Sequence, residues 1–271
     1  MRLCIAGKNN IAVDAVKYII ESELLKKENL FVLPNKNISN EDTWQKSLKK
    51  YALDNNLQIT NLDKMYRYDD LIFISLEFDK IINTNKFKTN KLYNIHFSYL
   101  PAYKGVYTSI FPILKGETES GVTLHKIDNG IDTGDIIEQI KFDIGINETA
   151  RDLYFKYLKF GFELFKKNIR KILLNDISLK KQNNIKASYF SRKSIDLQNI
   201  DINFNKTSFE IHNQIRSMIF KEYQLPNIKG KKIKKSILLN EKMREARKII
   251  EFKDRFEISG IDRYIIKAYK N

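Results

Sequence analysis

The chain has 271 residues and sets 48 lysines and arginines against 33 aspartates and glutamates, a formal net charge of +15. That length fits one large or two modest domains, and the charge suits an anionic partner such as RNA, a membrane surface or a phosphorylated small molecule. A single cysteine excludes an internal disulfide, and the lack of a long apolar run or a signal-peptide pattern makes a soluble, cytoplasmic protein without membrane contacts the expectation.

Residues 1–6, MRLCIA, read as a buried strand with Cys4 inside it. A turn at Gly7-Lys8-Asn9-Asn10 and an apolar helix, IAVDAVKYII, follow. This is the strand–turn–helix opening of a doubly wound α/β sheet. It lacks G-x-G-x-x-G, so no dinucleotide is expected. NLFVL reads as a second strand, and EDTWQKSLKKYALDN as a helix with Trp44, Leu48 and Tyr51 on one face. DLIFISLEF, residues 70–78, is apolar throughout, as a central parallel strand should be. Ligands of open α/β sheets bind beyond the carboxyl ends of strands, which singles out the tip Leu76-Glu77-Phe78-Asp79.

The next strand carries the chemistry. LYNIHF alternates, so Tyr93, Ile95 and Phe97 point to one face and Asn94 and His96 to the other. An amide can donate to an oxygen that is becoming negative, and an imidazole exchanges protons near neutral pH. A later strand, GVTLHKID, leads to a turn that delivers Asp132 in Asp132-Thr133-Gly134-Asp135. A carboxylate beside a histidine fixes its tautomer and favours its protonated form. The set suits an attacking nucleophile that must lose a proton at a carbonyl carbon, and none of the three is itself that nucleophile. Taken one at a time, a strand histidine and a DTGD turn are also ordinary structural features.

The order of the pieces is more specific. N-x-H, then S-x-L-P, K-G, G-V-T and D-x-G-I-D-T-G-D, spread over about residues 70–140, resembles the folate-dependent formyltransferases. That family includes enzymes acting on methionyl-tRNA, on glycinamide ribonucleotide and on nucleotide sugars. The resemblance implies a doubly wound, mostly parallel, Rossmann-like core, with Asn94, His96 and Asp132 as the catalytic triad. It implies N10-formyltetrahydrofolate as co-substrate, its pterin held, largely through backbone groups, by Leu76, Phe78, Asp128, Gly130, Ile131 and Asp132. No metal is expected, because the activated formyl group already sits on the folate.

The loop Leu100–Ser109 brings Tyr103, Lys104 and Tyr107, two aromatic platforms and a cation, which suit an anionic, partly aromatic substrate. It looks closer to the nucleotide-sugar branch than to the arginine-rich, tryptophan-containing loop of the tRNA enzymes. The resulting expectation is formylation of a nucleotide-linked, dTDP-type amino-dideoxyhexose for surface polysaccharide such as lipopolysaccharide O-antigen, by a homodimer that does not bind nucleic acid. The alternatives are methionyl-tRNA formylation and an inactive nucleotide-sugar- or RNA-binding module.

Thr149 and Asp152 read as a capping box for a long helix whose Tyr154, Leu158, Phe162, Phe165, Ile169 and Ile172 form one apolar stripe. The polar stretch 174–186 separates a catalytic domain, 1–180, from a shortened α+β accessory region, 187–271. There, a helix over Thr207–Ile219 places Phe209, His212 and Arg216 on one face, and Arg216 is a candidate for a substrate diphosphate. His125 and His212 read as structural. Lys229–Lys235 reads as a solvated, mobile loop, and FEISGIDRYIIKAYK as a hairpin-like strand pair.

Overall fold

The computed structural model describes residues 1–36, 40–198 and 200–271. Strand β1 (Arg2–Gly7) buries Leu3, Cys4, Ile5 and Ala6 completely, as the apolar run requires of a central strand. It ends at Gly7, where a Cβ would lie 1.8 Å from the Leu76 carbonyl oxygen, so only glycine lets the chain turn there. Helix α1 (Asn9–Glu21) follows, then β2 (Leu30–Pro34), α2 (Leu48–Asp54), β3 (Gln58–Ile59), α3 (Leu62–Met65), β4 (Leu71–Leu76) and β5 (Leu92–His96). The short β6 (Lys104–Gly105) and α4 (Phe111–Leu114) lead to β7 (Glu119–Lys126), β8 (Ile136–Asp143) and the long helix α5 (Ala150–Leu173). After β9 (Tyr189–Phe190) and α6 (Ser208–Ser217) come β10 (Asn227–Ile228), β11 (Lys231–Lys242), β12 (Ile249–Glu251), β13 (Arg255–Ser259) and β14 (Tyr264–Lys270).

The main sheet has the order β3-β2-β1-β4-β5-β7-β8. Its pairs from β3 through β5 are parallel, and β5 meets β7 antiparallel. This is the mostly parallel, doubly wound sheet expected from the sequence. The chain forms two compact units that interleave along the sequence: residues 1–104, 121–141 and 157–188 make one, and 105–120, 142–156 and 189–271 the other.

In the first unit, α1 buries Ile11, Val13, Val16 and Ile19, and the Phe97 and Tyr157 rings stack at 5.3 Å and 10°. Gly161 lets α5 come close, since a Cβ there would be 2.8 Å from Ile11 Cδ1. Cys4 is fully buried and its thiol pKa is pushed up by that burial. The helix expected over residues 41–55 begins only at Leu48. Side chains take the upstream backbone instead: Asp42 Oδ1 accepts from Ser47 N at 2.8 Å, Asn10 Oδ1 from Lys46 N at 2.9 Å, and Ser47 caps the helix. Trp44 therefore lies outside it.

The box at Thr149 and Asp152 forms as expected: the carboxylate accepts from Thr149 N at 2.9 Å, and the hydroxyl from Asp152 N at 3.3 Å. A second box, Thr207 with Glu210, starts α6. In the second unit, Ile211 and Ile215 of α6 join Ile233, Phe256, Ile258, Ile266 and Ala268 in one core on a sheet of order β10-β11-β14-β13-β12. The hairpin near the C-terminus is β13 with β14. The basic run is not a loop: after a turn at Gly230 it enters β11, where Ile233 is fully buried between exposed lysines. Buried Ile233 and Ser236, Leu238 packed on the same core, and the pairing with β14 hold a strand whose charged side chains are exposed. Among the described residues no helix is long and apolar enough to cross a membrane.

His212 is buried, with Nδ1 at 2.8 Å from Ser236 Oγ and Nε2 at 2.8 Å from the Ile146 carbonyl. The ring is satisfied when neutral, donating to the carbonyl and accepting from the hydroxyl. Burial, with Arg216 beside it, lowers its pKa to about 4. The unfolded chain binds a proton at about pH 6.5 that the folded chain refuses until about pH 4, so stability falls as pH drops through that window. The loss should reach up to roughly 3 kcal/mol. Urea midpoints measured between pH 7.5 and pH 4 should fall more steeply for the wild type than for His212→Gln.

Candidate functional site

The register of β5 against β7 sets Asn94 opposite His125 and His96 opposite Thr123. Four polar side chains thus share one face, while Ile95 and Leu124 fill the other. Thr123 Oγ1 donates to the Ser98 carbonyl at 2.7 Å and accepts from Leu100 N at 3.0 Å and Gln139 Nε2 at 2.8 Å. Ser98 Oγ in turn donates to the Ala102 carbonyl at 2.7 Å. These bonds fold the chain after β5 back on itself, so that the Tyr103 carbonyl lies 2.8 Å from His96 Nε2.

The turn after β7 closes from the other side. Lys126 N donates to the Asp135 carbonyl at 2.9 Å, and a Cβ on Gly134 would sit 1.9 Å from the Lys126 oxygen. Asp128 Oδ1 accepts from Gly130 N at 3.1 Å and Thr133 Oγ1 at 2.7 Å. Asp132 adopts a left-handed φ of 54°. Its nearly buried carboxylate stands between two imidazoles: Oδ2 is 3.5 Å from His96 Nδ1, and Oδ1 is 3.6 Å from His125 Nε2 and 3.4 Å from Asn94 Nδ2.

Donors and acceptors can be counted. His125 Nδ1 donates to the Lys126 carbonyl at 2.7 Å, which leaves Nε2 to accept from Asn94 Nδ2 at 3.1 Å. His96 faces an oxygen from each nitrogen, so both contacts are made only when both nitrogens carry protons. The 3.4 Å contact from Asn94 to Asp132 is the longer of the two this amide makes.

Of the residues expected around a folate, Asp128, Gly130, Ile131 and Asp132 lie together in this turn, with Ile131 39% exposed. The side chain of Leu76 is fully buried, so it has only backbone to offer. Phe78 packs on the same core cluster as Ile127, edge-on to Phe73 at 6.2 Å. Glu77 between them is left-handed, φ 58°, with its carbonyl held by Asn35 Nδ2 at 3.0 Å and its carboxylate by Asn9 Nδ2 at 3.2 Å. Among the described residues no cluster of His, Cys, Asp and Glu could hold a metal.

The expected substrate residues divide. Tyr103 and Lys104 belong to the unit that carries His96. Lys104 is buried at 7% exposure, and its ammonium meets a neutral partner, Asn184 Oδ1, at 3.3 Å. Tyr107 lies in the second unit, with φ 59° and its carbonyl accepting from Ile110 N at 2.9 Å. Arg216 corrects the diphosphate expectation. It is 1% exposed, with Nε donating to Asn213 Oδ1 at 2.8 Å and Nη1 to the Gly145 and Glu148 carbonyls at 2.9 and 2.7 Å. Burial lowers its pKa only to about 10, so it stays charged as an internal clamp.

A family model described as Formyl transferase matches residues 7–169, more than half of the chain. The chain belongs to that family. It is 56% identical to an N-formyltransferase from Helicobacter canadensis solved with folinic acid and dTDP-3-aminofucose, each chain covering all of the other at a TM-score of 0.97. It is 57% identical to WlaRD, a sugar 3N-formyl transferase solved with dTDP and 5-N-formyl-THF, over all of this chain and 97% of that one, again with a TM-score of 0.97. A methionyl-tRNA formyltransferase from Clostridioides difficile (strain 630) is 28% identical over 98% of this chain and 90% of its own length.

His125 is the residue that reading one strand at a time misses. The available signal was the parity of β7, where Thr123 and His125 are polar between buried Val122 and Leu124. Because His125 Nε2 accepts from the Asn94 amide, His125→Leu should leave the chain folded and lower kcat on the order of 10²-fold. Steady-state formylation kinetics alongside a thermal melt would check both halves.

Proposed function

We propose that this chain transfers the formyl group of N10-formyltetrahydrofolate to the 3-amine of a dTDP-linked amino-dideoxyhexose. The observation that carries this reading is the convergence of Asn94, His96 and Asp132 at 3.4–3.5 Å, in a chain similar over its whole length to sugar N-formyltransferases. The folate fits the tip of β4 and the 128–132 turn, where backbone donors and acceptors border an exposed isoleucine, as a flat amide-like ring needs. When bound, it supplies a formyl carbon already activated toward amines.

The chain's own residues do the rest. Asn94 donates to the formyl oxygen as negative charge develops on it. His96 takes the proton that the amine loses and passes it to the departing nitrogen, and Asp132 balances the charge in between. Tyr103 and Lys104 receive the sugar nucleotide. Among the described residues the buried Lys104 ammonium meets one partner, an amide oxygen, and a charge so placed favours a phosphorylated acceptor. Residues 1–180 serve as the catalytic region and 187–271 as an accessory region used in a homodimer, in the cytoplasm where folate and nucleotide sugars are found.

The test is formylation of a dTDP-3-amino-dideoxyhexose and of charged initiator tRNA, each with N10-formyltetrahydrofolate. Turnover of the sugar alone is expected, and turnover of the tRNA alone would overturn the reading. Lys104→Met should raise KM for the sugar nucleotide at least about tenfold and leave KM for the folate unchanged. Asp132→Asn should lower kcat by about 10²- to 10⁴-fold.

A further inference from the structure

The polar stretch after α5 does more than connect. Lys180 and Ile136 exchange both backbone hydrogen bonds at 2.8 Å, which pins the segment to the start of β8. Gln182 Nε2 then donates to the Asp132 carbonyl at 2.9 Å and to the Gly134 carbonyl at 2.8 Å, one on each side of Thr133. Six residues on, Ser188 Oγ accepts from Tyr103 N at 2.8 Å, and the Ser188 carbonyl accepts from Lys104 N at 2.8 Å.

Two residues that touch His96 have left-handed backbones without being glycine: Asp132 at φ 54° and Tyr103 at φ 60°. Such conformations persist only where the surroundings impose them. Each of these two is held by a side chain of the 180–188 segment, Asp132 by Gln182 and Tyr103 by Ser188. The orientation of the Gln182 amide is fixed, because only its nitrogen can face two carbonyls. Its Oε1 is buried with no hydrogen-bond partner among the described residues.

We infer that Gln182 is a positioning residue of the formyl transfer: by clamping the carbonyls on both sides of Thr133 it aims the Asp132 carboxylate at His96. Ser188 steadies the Tyr103 carbonyl on the other nitrogen of the same ring. The inference rests on the reading of Asp132 given above. It extends the machinery to a segment that carries no catalytic side chain.

The experiment compares Gln182→Met, Asp132→Asn and the double variant with the wild type, using a dTDP-3-amino-dideoxyhexose and N10-formyltetrahydrofolate. Gln182→Met should keep the wild-type melting temperature and both KM values within about twofold, and lower kcat by roughly 10- to 100-fold. In the Asp132→Asn background the same change should cost less than about twofold, because the two residues act as one unit. An unchanged kcat, or an equal loss in both backgrounds, would overturn the inference. Should Gln182→Met not fold, Gln182→Asn, which keeps the amide on a shorter arm, takes its place. Hydrogen exchange at the amides of Thr133, Gly134 and Asp135 reads the clamp without substrate. Faster exchange in the variant supports the inference, and unaltered exchange overturns it. A wild type that exchanges as expected but turns over no sugar nucleotide would overturn the proposed function and leave the clamp standing.

Discussion

Everything at the candidate site depends on the antiparallel pairing of β7 with β5, which ends the run of parallel strands. Because β7 runs against β5, its polar positions, Thr123 and His125, land opposite His96 and Asn94. A slip of one residue would send the two polar pairs to opposite faces of the sheet and leave imidazoles in the apolar core. The reversal also sets where the next turn starts. The chain leaves β7 at Lys126, beside the start of β5, and has to fold back along the sheet face for Asp132 to reach the histidines. That return path requires a left-handed Asp132 and a bare Gly134, and it is the path the Asp-Thr-Gly-Asp turn follows.

Two buried cations differ in how far their own surroundings satisfy them. Arg216 has donors on two carbonyls and an amide oxygen, all contributed by its own surroundings, and so needs nothing from outside. Lys104 is nearly as buried yet, among the described residues, faces one neutral oxygen. Both would score alike by residue type and by burial. Only the count of donors already committed separates the two.

That count explains which parts of the molecule were legible in the sequence. Strands with an unbroken apolar run or clean alternation, and helices announced by a Thr-x-x-Asp or Thr-x-x-Glu box, follow from local preferences, and the structure has them in place. So does the juxtaposition of Asn94, His96 and Asp132, whose spacing is tied to strand parity and a glycine-dependent turn. What local reasoning missed was decided by distant partners. The start of α2 at Leu48 depends on Asn10, far upstream in the chain. The lysine-rich run became strand because β14 offered it a ladder. Arg216 turned inward because the Gly145–Glu148 turn presented carbonyls to it. Gln182 sits in a stretch with no periodicity at all, and its two bonds reach back some fifty residues.

The deeply buried Cys4 has a practical consequence. It is the chain's one sulfhydryl, it has no exposed surface, and burial disfavours the reactive thiolate. A cysteine introduced at any exposed position would be the single group that a maleimide or disulfide reagent meets. Spin labels or a donor–acceptor dye pair can then be attached to the loops that frame the site in the otherwise natural sequence, with no background reaction to subtract.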